Sequence, residues 1–307
     1  MIPNRIEKIE RMSNSLYHNG YKEFISSTTL KKLRDGGLTF LHDVSIPNEF
    51  KPQFVFGSLW HDLISSRHEK GEPMETNYAI VDFPDYMLNK GKPYGETSQA
   101  YADGYARLTA ENEGKTIVFP HQYQKASSMV EAIFTPKWKH PSLNLFKAMF
   151  DKGTPEVSYF IRNFAGDVNI KIRPDLDGQN YFIDYKTTSG KLSEFGRTIV
   201  DFGYDISAAM YREGKKDYWR EHYGEEIEPK MYWLVQETNP PFDWALFSAD
   251  KLIEQATKKF YDLLNYFIHC RNNEYGGVAD LSTDKHGVFF PELAPWQSNF
   301  NKLIQIQ

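Results

Sequence analysis

The stretch Arg173-Pro174-Asp175-Leu176-Asp177-Gly178-Gln179-Asn180-Tyr181-Phe182-Ile183-Asp184-Tyr185-Lys186-Thr187-Thr188 reads as a strand preceded by a tight turn. Successive side chains of a strand point to opposite sides, so Asp184 and Lys186 share one face and Tyr181, Ile183 and Tyr185 form an apolar face opposite. Asp177-Gly178 has turn chemistry and folds the chain back, so that Asp175 stands beside Asp184. Two carboxylates and an ammonium then converge. Hard oxygen ligands of this kind can hold a divalent metal, with a positive charge beside an attacking water or a phosphate oxygen. A cross-strand salt bridge on a solvated hairpin would account for the same residues without chemistry. Burial separates the two readings, because charges on a core strand are costly unless they are paired or bind metal.

The 307 residues are 40% hydrophobic and 15% aromatic, enough to build a large core. We expect a single domain over 1-307. Residues 1-150 form its mainly helical part, which carries His61, and residues 151-307 form a sheet with covering helices. Lys and Arg number 36 against 41 acidic residues, a net charge of -5, which disfavours a passive polycationic coat for nucleic acid. It leaves room for a local basic groove beside acidic ligands. The single cysteine, Cys270, excludes an internal disulfide and any cluster held by four thiolates of this chain. The charged N-terminal residues and the lack of an apolar run of membrane-spanning length lead us to expect a cytoplasmic protein with no membrane partner.

Before residue 150 the patterning is helical. Ser26 to Gly37 starts with Ser/Thr capping residues and ends in paired glycines. Phe54 to Ile64 spaces Leu59 with Leu63 and Trp60 with Ile64 by four, and it carries His61. Residues 68 to 95 read as loop, and helices resume at Glu96 to Asn112 and His121 to Ile133. After Gly153 the period shortens. Residues 156–161, 168–173 and 181–186 are short β-rich runs separated by Gly-containing turns, which predicts an antiparallel meander. Helices follow at about 190 to 200 and 204 to 223, then strands at 231–236 and 244–247 joined through Asn239-Pro240-Pro241. A long amphipathic helix covers 250–272. The predicted class is α/β to α+β, a central mixed sheet flanked by helices.

The ordered set Phe56-Gly-Ser-Leu-Trp-His61, Met129-Val-Glu-Ala132, Pro155-Glu-Val-Ser158, Arg173-Pro-Asp175, Asp184-Tyr-Lys-Thr-Thr188 and Tyr204 to Tyr211 covers most of the chain. It resembles the PD-(D/E)XK nucleases, and within them the exodeoxyribonuclease VIII-like branch of phage and prophage recombination exonucleases. The resemblance implies a restriction-endonuclease-like core that binds one or two Mg²⁺ or Mn²⁺ ions. Asp175 and Asp184 would be the central metal ligands, and the backbone carbonyl of Tyr185 would complete the shell. Lys186 would activate the water and stabilise transition-state charge. His61 matches the family's N-terminal histidine motif, which implies a ligand, whereas a histidine on an apolar helix is otherwise a satisfied boundary residue. Glu156 matches an acidic residue of the preceding strand, which implies a second-metal or water-holding role. Glu131 is read as structural.

One departure stands out. Relatives carry Gln-X-X-X-Tyr on the helix after the third motif, where this chain has Ser207-Ala-Ala-Met-Tyr211. Tyr211 is kept, but Ser207 is too short for the glutamine's reach. Tyr204 and Tyr211, seven apart, share a helical face that either packs in the core or lines a DNA channel.

The same resemblance implies an exonuclease that resects linear double-stranded DNA 5′ to 3′, leaving a 3′ single strand for an annealing recombinase partner. It also implies a homo-oligomeric ring, in the cytoplasm of a bacterial or phage-infected cell. Basic candidates for phosphate contact are Lys31, Lys32, Arg34, Lys191 and Arg197, with Arg173 ranked first. An endonuclease of defence or restriction type uses the same fold. A catalytically inert DNA-binding module is the non-enzymatic alternative.

Overall fold

The computed structural model describes residues 5–10, 12–35, 37–45, 52–71 and 77–272. β1 (Ile6–Ile9), α1 (Asn14–Asn19), β2 (Phe24–Ile25) and α2 (Ser27–Lys32) open the chain, followed by a 3-10 turn at Leu33–Asp35, α3 (Gly37–Ser45) and α4 (Pro52–Ser65). Then come β3 (Tyr78–Ile80), β4 (Leu88–Asn89), β5 (Lys92–Pro93), α5 (Gln99–Glu111), β6 (Thr116–Val118), α6 (Pro120–Phe134) and α7 (Leu143–Lys152). The strand-rich half comprises β7 (Thr154–Pro155), β8 (Ser158–Ala165), β9 (Val168–Ile172), β10 (Leu176–Gly178), β11 (Tyr181–Thr188), α8 (Phe195–Asp201), α9 (Tyr204–Tyr223), β12 (Lys230–Glu237), β13 (Trp244–Ser248) and α10 (Ile253–Asn272). No described helix is long and apolar enough to cross a membrane.

The chain divides into two compact units, residues 1–27 with 48–260 and residues 28–47 with 261–307. In the smaller unit the rings of Phe40 and Phe267 meet edge to face at 6.0 Å, and Lys32 Nζ donates to the Asp43 carbonyl at 2.9 Å.

The larger unit is built on two sheets. One has the order β1-β8-β9-β2; the other, β13-β12-β11-β10-β7, is mixed, with β11 parallel to β12 and its other pairings antiparallel. A strand covered on both faces needs apolar residues on both, and β11 has them. Ile183 and Tyr185 enter one core with Leu59, Trp60 and Ile64 of α4 and Met129 and Ile133 of α6. Phe182 enters another with Phe195 and Ile199 of α8 and Ala208 of α9. Burying a side chain of this size contributes roughly 1.5–3 kcal/mol. Helix α9 also lies against β8, β9 and β12, so both sheets share it.

The expected mixed sheet is present, but the three-strand run is divided. β8 pairs with β9 in the first sheet, while β11 takes the short β10 as its antiparallel partner in the second. Pro174 explains the break: it lacks an N–H for the ladder and restricts the residue before it, so β9 ends at Ile172 and pairing restarts at Leu176. At the β10–β11 turn, a Cβ on Gly178 would lie 2.0 Å from a ring carbon of Tyr181, so only glycine fits beneath that ring. The first 150 residues also hold the short strands β1 to β6, several of them within the segment read as loop; residues 72–76 of that segment and Gly36 lie outside the described residues. These strands have two to four residues, too short for a period to register.

Candidate active site

Strand alternation sends Asp184 and Lys186 to the α9 side of β11, and Tyr185 to the α4 side. Asp175, just before β10, bridges the two sides. Its Oδ2 accepts the Tyr185 backbone N–H at 2.5 Å, its Oδ1 lies 3.2 Å from His61 Nδ1, and it shares a hydrogen bond with the Asp184 carboxyl. Lys186 Nζ sits 2.7 Å from Asp184 Oδ2 and donates to the Tyr185 carbonyl at 3.0 Å. Five of the sequence-selected residues, His61, Asp175, Asp184, Tyr185 and Lys186, thus meet around the Asp175 carboxylate and the β11 backbone.

Glu156 joins them by an unusual route. It precedes β8 rather than belonging to it, and its backbone has φ of 57°, the left-handed region that glutamate seldom adopts. Such a conformation costs about 1–3 kcal/mol and is found at functional sites when the surroundings enforce it. Here its N–H donates to the Asp175 carbonyl at 3.2 Å, and Arg173 NH1 lies 3.6 Å from Oε2.

The electrostatics are those of a crowded acidic centre. Burial and the Asp175 charge push the Glu156 carboxyl up to about 7, although part of its surface stays open to solvent. Burial likewise pushes Asp184 up to about 6, against the pull of Lys186. Burial would raise Asp175 too, but His61, Lys186 and the Tyr185 N–H outweigh it and hold Asp175 well below the usual carboxylate range. For Lys186, burial disfavours the ammonium, and the Asp184 and Asp175 carboxylates more than restore it, leaving its pKa raised. His61 is raised in the same way, the charge of Asp175 overcoming burial. Carboxyl groups crowded together out of water are raised by burial and by one another's charge, and a bound cation would favour their ionised forms.

Among the described residues, no three or more His, Cys, Asp or Glu side chains stand ready-made around a metal position. Lys186 and His61 sit against carboxylate oxygens that an ion would use. The donor set nonetheless fits a hard divalent cation: carboxylates from Asp175, Asp184 and Glu156 and a backbone carbonyl from Tyr185. With Nδ1 against Asp175, His61 has only Nε2 to offer an ion directly, and it also orients Asp175.

Other candidates lie differently. Arg173 is buried, with its guanidinium bonded to Ser158 Oγ at 2.7 Å, Asn14 Oδ1 at 2.8 Å and the Met12 carbonyl at 3.2 Å, and its centre is 4.0 Å from the centroid of the Tyr17 ring. Its donors thus go to Ser158 and to the N-terminal segment, beside the Glu156 carboxylate. Ser207 is also buried, and its hydroxyl donates to Ser27 Oγ at 3.1 Å. Tyr211 packs beside Phe182, and Tyr204 lies under Lys186 Nζ at 5.1 Å. Lys191 and Arg197 are exposed and pair with Glu237 at 3.4 Å and Asp201 at 3.3 Å. Lys31, Lys32 and Arg34 belong to the smaller unit, where Arg34 Nε donates to the Lys31 carbonyl at 3.3 Å. Glu131 pairs with Arg67 on the surface at 2.9 Å.

Two features were missed. Asp62, next to His61, is pushed up by burial, hydrogen-bonds Tyr78 and lies close enough to raise Glu156; its position beside His61 was the available signal. The second is Lys215, fully buried on α9, whose Nζ lies 2.6 Å from Asp177 Oδ1 and also donates to the Gly178 carbonyl. Tyr159 OH donates to the other Asp177 oxygen at 2.7 Å, and together these fix the turn between Asp175 and Asp184.

A family described as a PDDEXK-like domain of unknown function (DUF3799) matches residues 26–278. The chain belongs to this PDDEXK-like family. The PDDEXK-like assignment places it in the PD-(D/E)XK nuclease superfamily, whose nucleases use divalent metal ions. Among solved structures, the crystal structure of a Eubacterium rectale protein named as a proposed exonuclease is similar to the PDDEXK-like chain at TM-score 0.55 and 12% identity. The match covers 94% of this chain and 98% of that one. At that identity the likeness concerns the fold. No curated protein matches the chain.

Proposed function

We propose that this chain is a divalent-metal-dependent exodeoxyribonuclease. It hydrolyses phosphodiester bonds of linear double-stranded DNA 5′ to 3′ and leaves 3′ single strands for recombination. The observation that carries the reading is the meeting of Asp175, Asp184 and Lys186 with His61 and Glu156 on a PD-(D/E)XK fold. The exonuclease choice is supported by the name of the Eubacterium rectale protein and by the sequence resemblance. The polarity, an annealing recombinase as partner, the ring and the bacterial cytoplasm rest on the resemblance alone.

Asp175, Asp184, Glu156 and the Tyr185 carbonyl would hold Mg²⁺ or Mn²⁺, with His61 beside them. When bound, such an ion supplies Lewis-acid polarisation of a phosphoryl oxygen and lowers the pKa of water. The protein's own groups do the rest. Lys186, fixed by Asp184 and the Tyr185 carbonyl, orients the attacking water and offers its ammonium to the charge that develops on the phosphoryl oxygens. His61 keeps Asp175 ionised and oriented.

End-labelled linear DNA and closed circular DNA, incubated separately with Mg²⁺ or Mn²⁺, test the reading. Release of short products from the 5′ label of the linear form alone is expected. Equal attack on the closed circle would replace the exonuclease with an endonuclease, and inertness on both would favour the DNA-binding module.

A further inference from the structure

The turn between α8 and α9 presents an aromatic ladder that leaves the site for solvent. Lys186 Nζ lies 5.1 Å from the Tyr204 ring centroid, and Tyr204 stacks with Phe202 at 5.8 Å and 22°. On the inner side Tyr204 meets Phe195 at 6.1 Å and 30°. Phe195 is 1% exposed and Phe202 61%, so the ladder runs from core to surface. Val200, 54% exposed, stands at the same turn.

An isolated exposed phenylalanine is ordinary. This one differs because it continues, through Tyr204, to the lysine of the acidic centre. Its backbone is also fixed. The Phe202 N–H donates to the Thr198 carbonyl and the Gly203 N–H to the Val200 carbonyl, each at 3.1 Å, and Gly203 takes the left-handed φ of 61° that turns α8 into α9. An aromatic side chain on such a backbone has only its two side-chain torsions to restrict on binding. Arg197 and Lys191, both highly exposed, add cations on the same segment, and the Arg197–Asp201 pair, exposed on both sides, is weak enough to exchange for phosphate.

We infer that Phe202 is a base-stacking platform for an unpaired nucleotide beside the phosphate held at Lys186. Bases inside a duplex already stack on each other, so only an unpaired base offers a free face, and a flat exposed ring accepts any base without reading sequence. The ligand class is therefore DNA with an unpaired end or a single-stranded tract. The inference rests on the nuclease reading and specifies which form of DNA that site grips.

The test measures binding by the full chain, with Ca²⁺ in place of Mg²⁺, to a fluorescein-labelled duplex with a short single-stranded overhang and to a fluorescein-labelled, relaxed, covalently closed circular duplex. Phe202→Ala should weaken overhang binding by about 5- to 150-fold and leave binding to the circle unchanged, while Phe202→Trp should retain overhang binding. Equal overhang affinity for Phe202→Ala and the unmodified chain would overturn the platform. If the unmodified chain cuts no DNA with Mg²⁺ or Mn²⁺ and Phe202→Ala still loses overhang affinity, the nuclease reading falls and the platform stands.

Discussion

The ring of His61 lies 3.2 Å from Asp175 Oδ1, a contact that joins residues 114 positions apart. It ties helix α4 to the start of β10 and, through the second Asp175 oxygen and the Tyr185 N–H, to β11. The acidic centre is thus held from both sides of one strand. Changes at its members should separate chemistry from folding.

Asp184→Asn removes a carboxylate that burial already disfavours as an anion. DNA hydrolysis should fall by roughly three orders of magnitude or more, consistent with loss of both a ligand and its charge. Thermal stability should hold or rise, as when function-linked strain is relieved. In the unmodified chain, saturating Mn²⁺ should stabilise the fold by about 2.7 kcal/mol at a hundredfold excess over Kd. Scanning calorimetry with and without Mn²⁺ measures both, and an Mn²⁺ response that survives in Asp184→Asn would remove Asp184 from the ligand set.

Lys186→Met keeps the length of the side chain and deletes the charge. Turnover should drop by about 10²–10³-fold, while Mn²⁺ affinity by titration calorimetry is retained or improved, because Asp184 loses its ammonium competitor. A parallel loss of metal affinity and turnover would mean that Lys186 acts only by shaping the ligands.

Lys215→Met leaves the buried Asp177 carboxylate with the neutral Tyr159 hydroxyl as its partner and without its cation. Breaking a buried pair from one side costs about 3–5 kcal/mol. Urea denaturation should show that loss, and Lys215→Met with Asp177→Leu should recover much of it. Full stability in the single variant would show that Asp177 can be resolvated at the turn.

Gln236 anchors the helix that carries His61: it accepts from Trp60 Nε1 at 2.7 Å and donates to the Met129 carbonyl at 2.8 Å and the Phe242 carbonyl at 3.0 Å. Gln236→Met strands the buried indole N–H, at a cost of about 1–3 kcal/mol. Activity should fall along with stability, because Trp60 adjoins His61. A stability loss with unaltered turnover would show that α4 keeps His61 in place without this bond.

What the sequence determined by itself was local. Alternation along Tyr181 to Lys186 put Asp184 and Lys186 on one face, and spacing by four in residues 54 to 64 gave the helix of His61, because both patterns lie within a single element. Only the tertiary structure decided which side chains became neighbours. Pro174 divided the expected meander between two sheets, and no periodicity records which strand a broken ladder will pair with next. Arg173 reads as a surface cation until Ser158, Asn14 and the Met12 carbonyl enclose it, and Lys215 reads as solvated on a polar helix until Asp177 meets it in the core. Glu156 reached the centre through a left-handed backbone that no strand pattern announces. Burial of a charge depends on partners brought from far along the chain, so the sequence supplied the reactive groups, and packing decided which of them were turned toward one another.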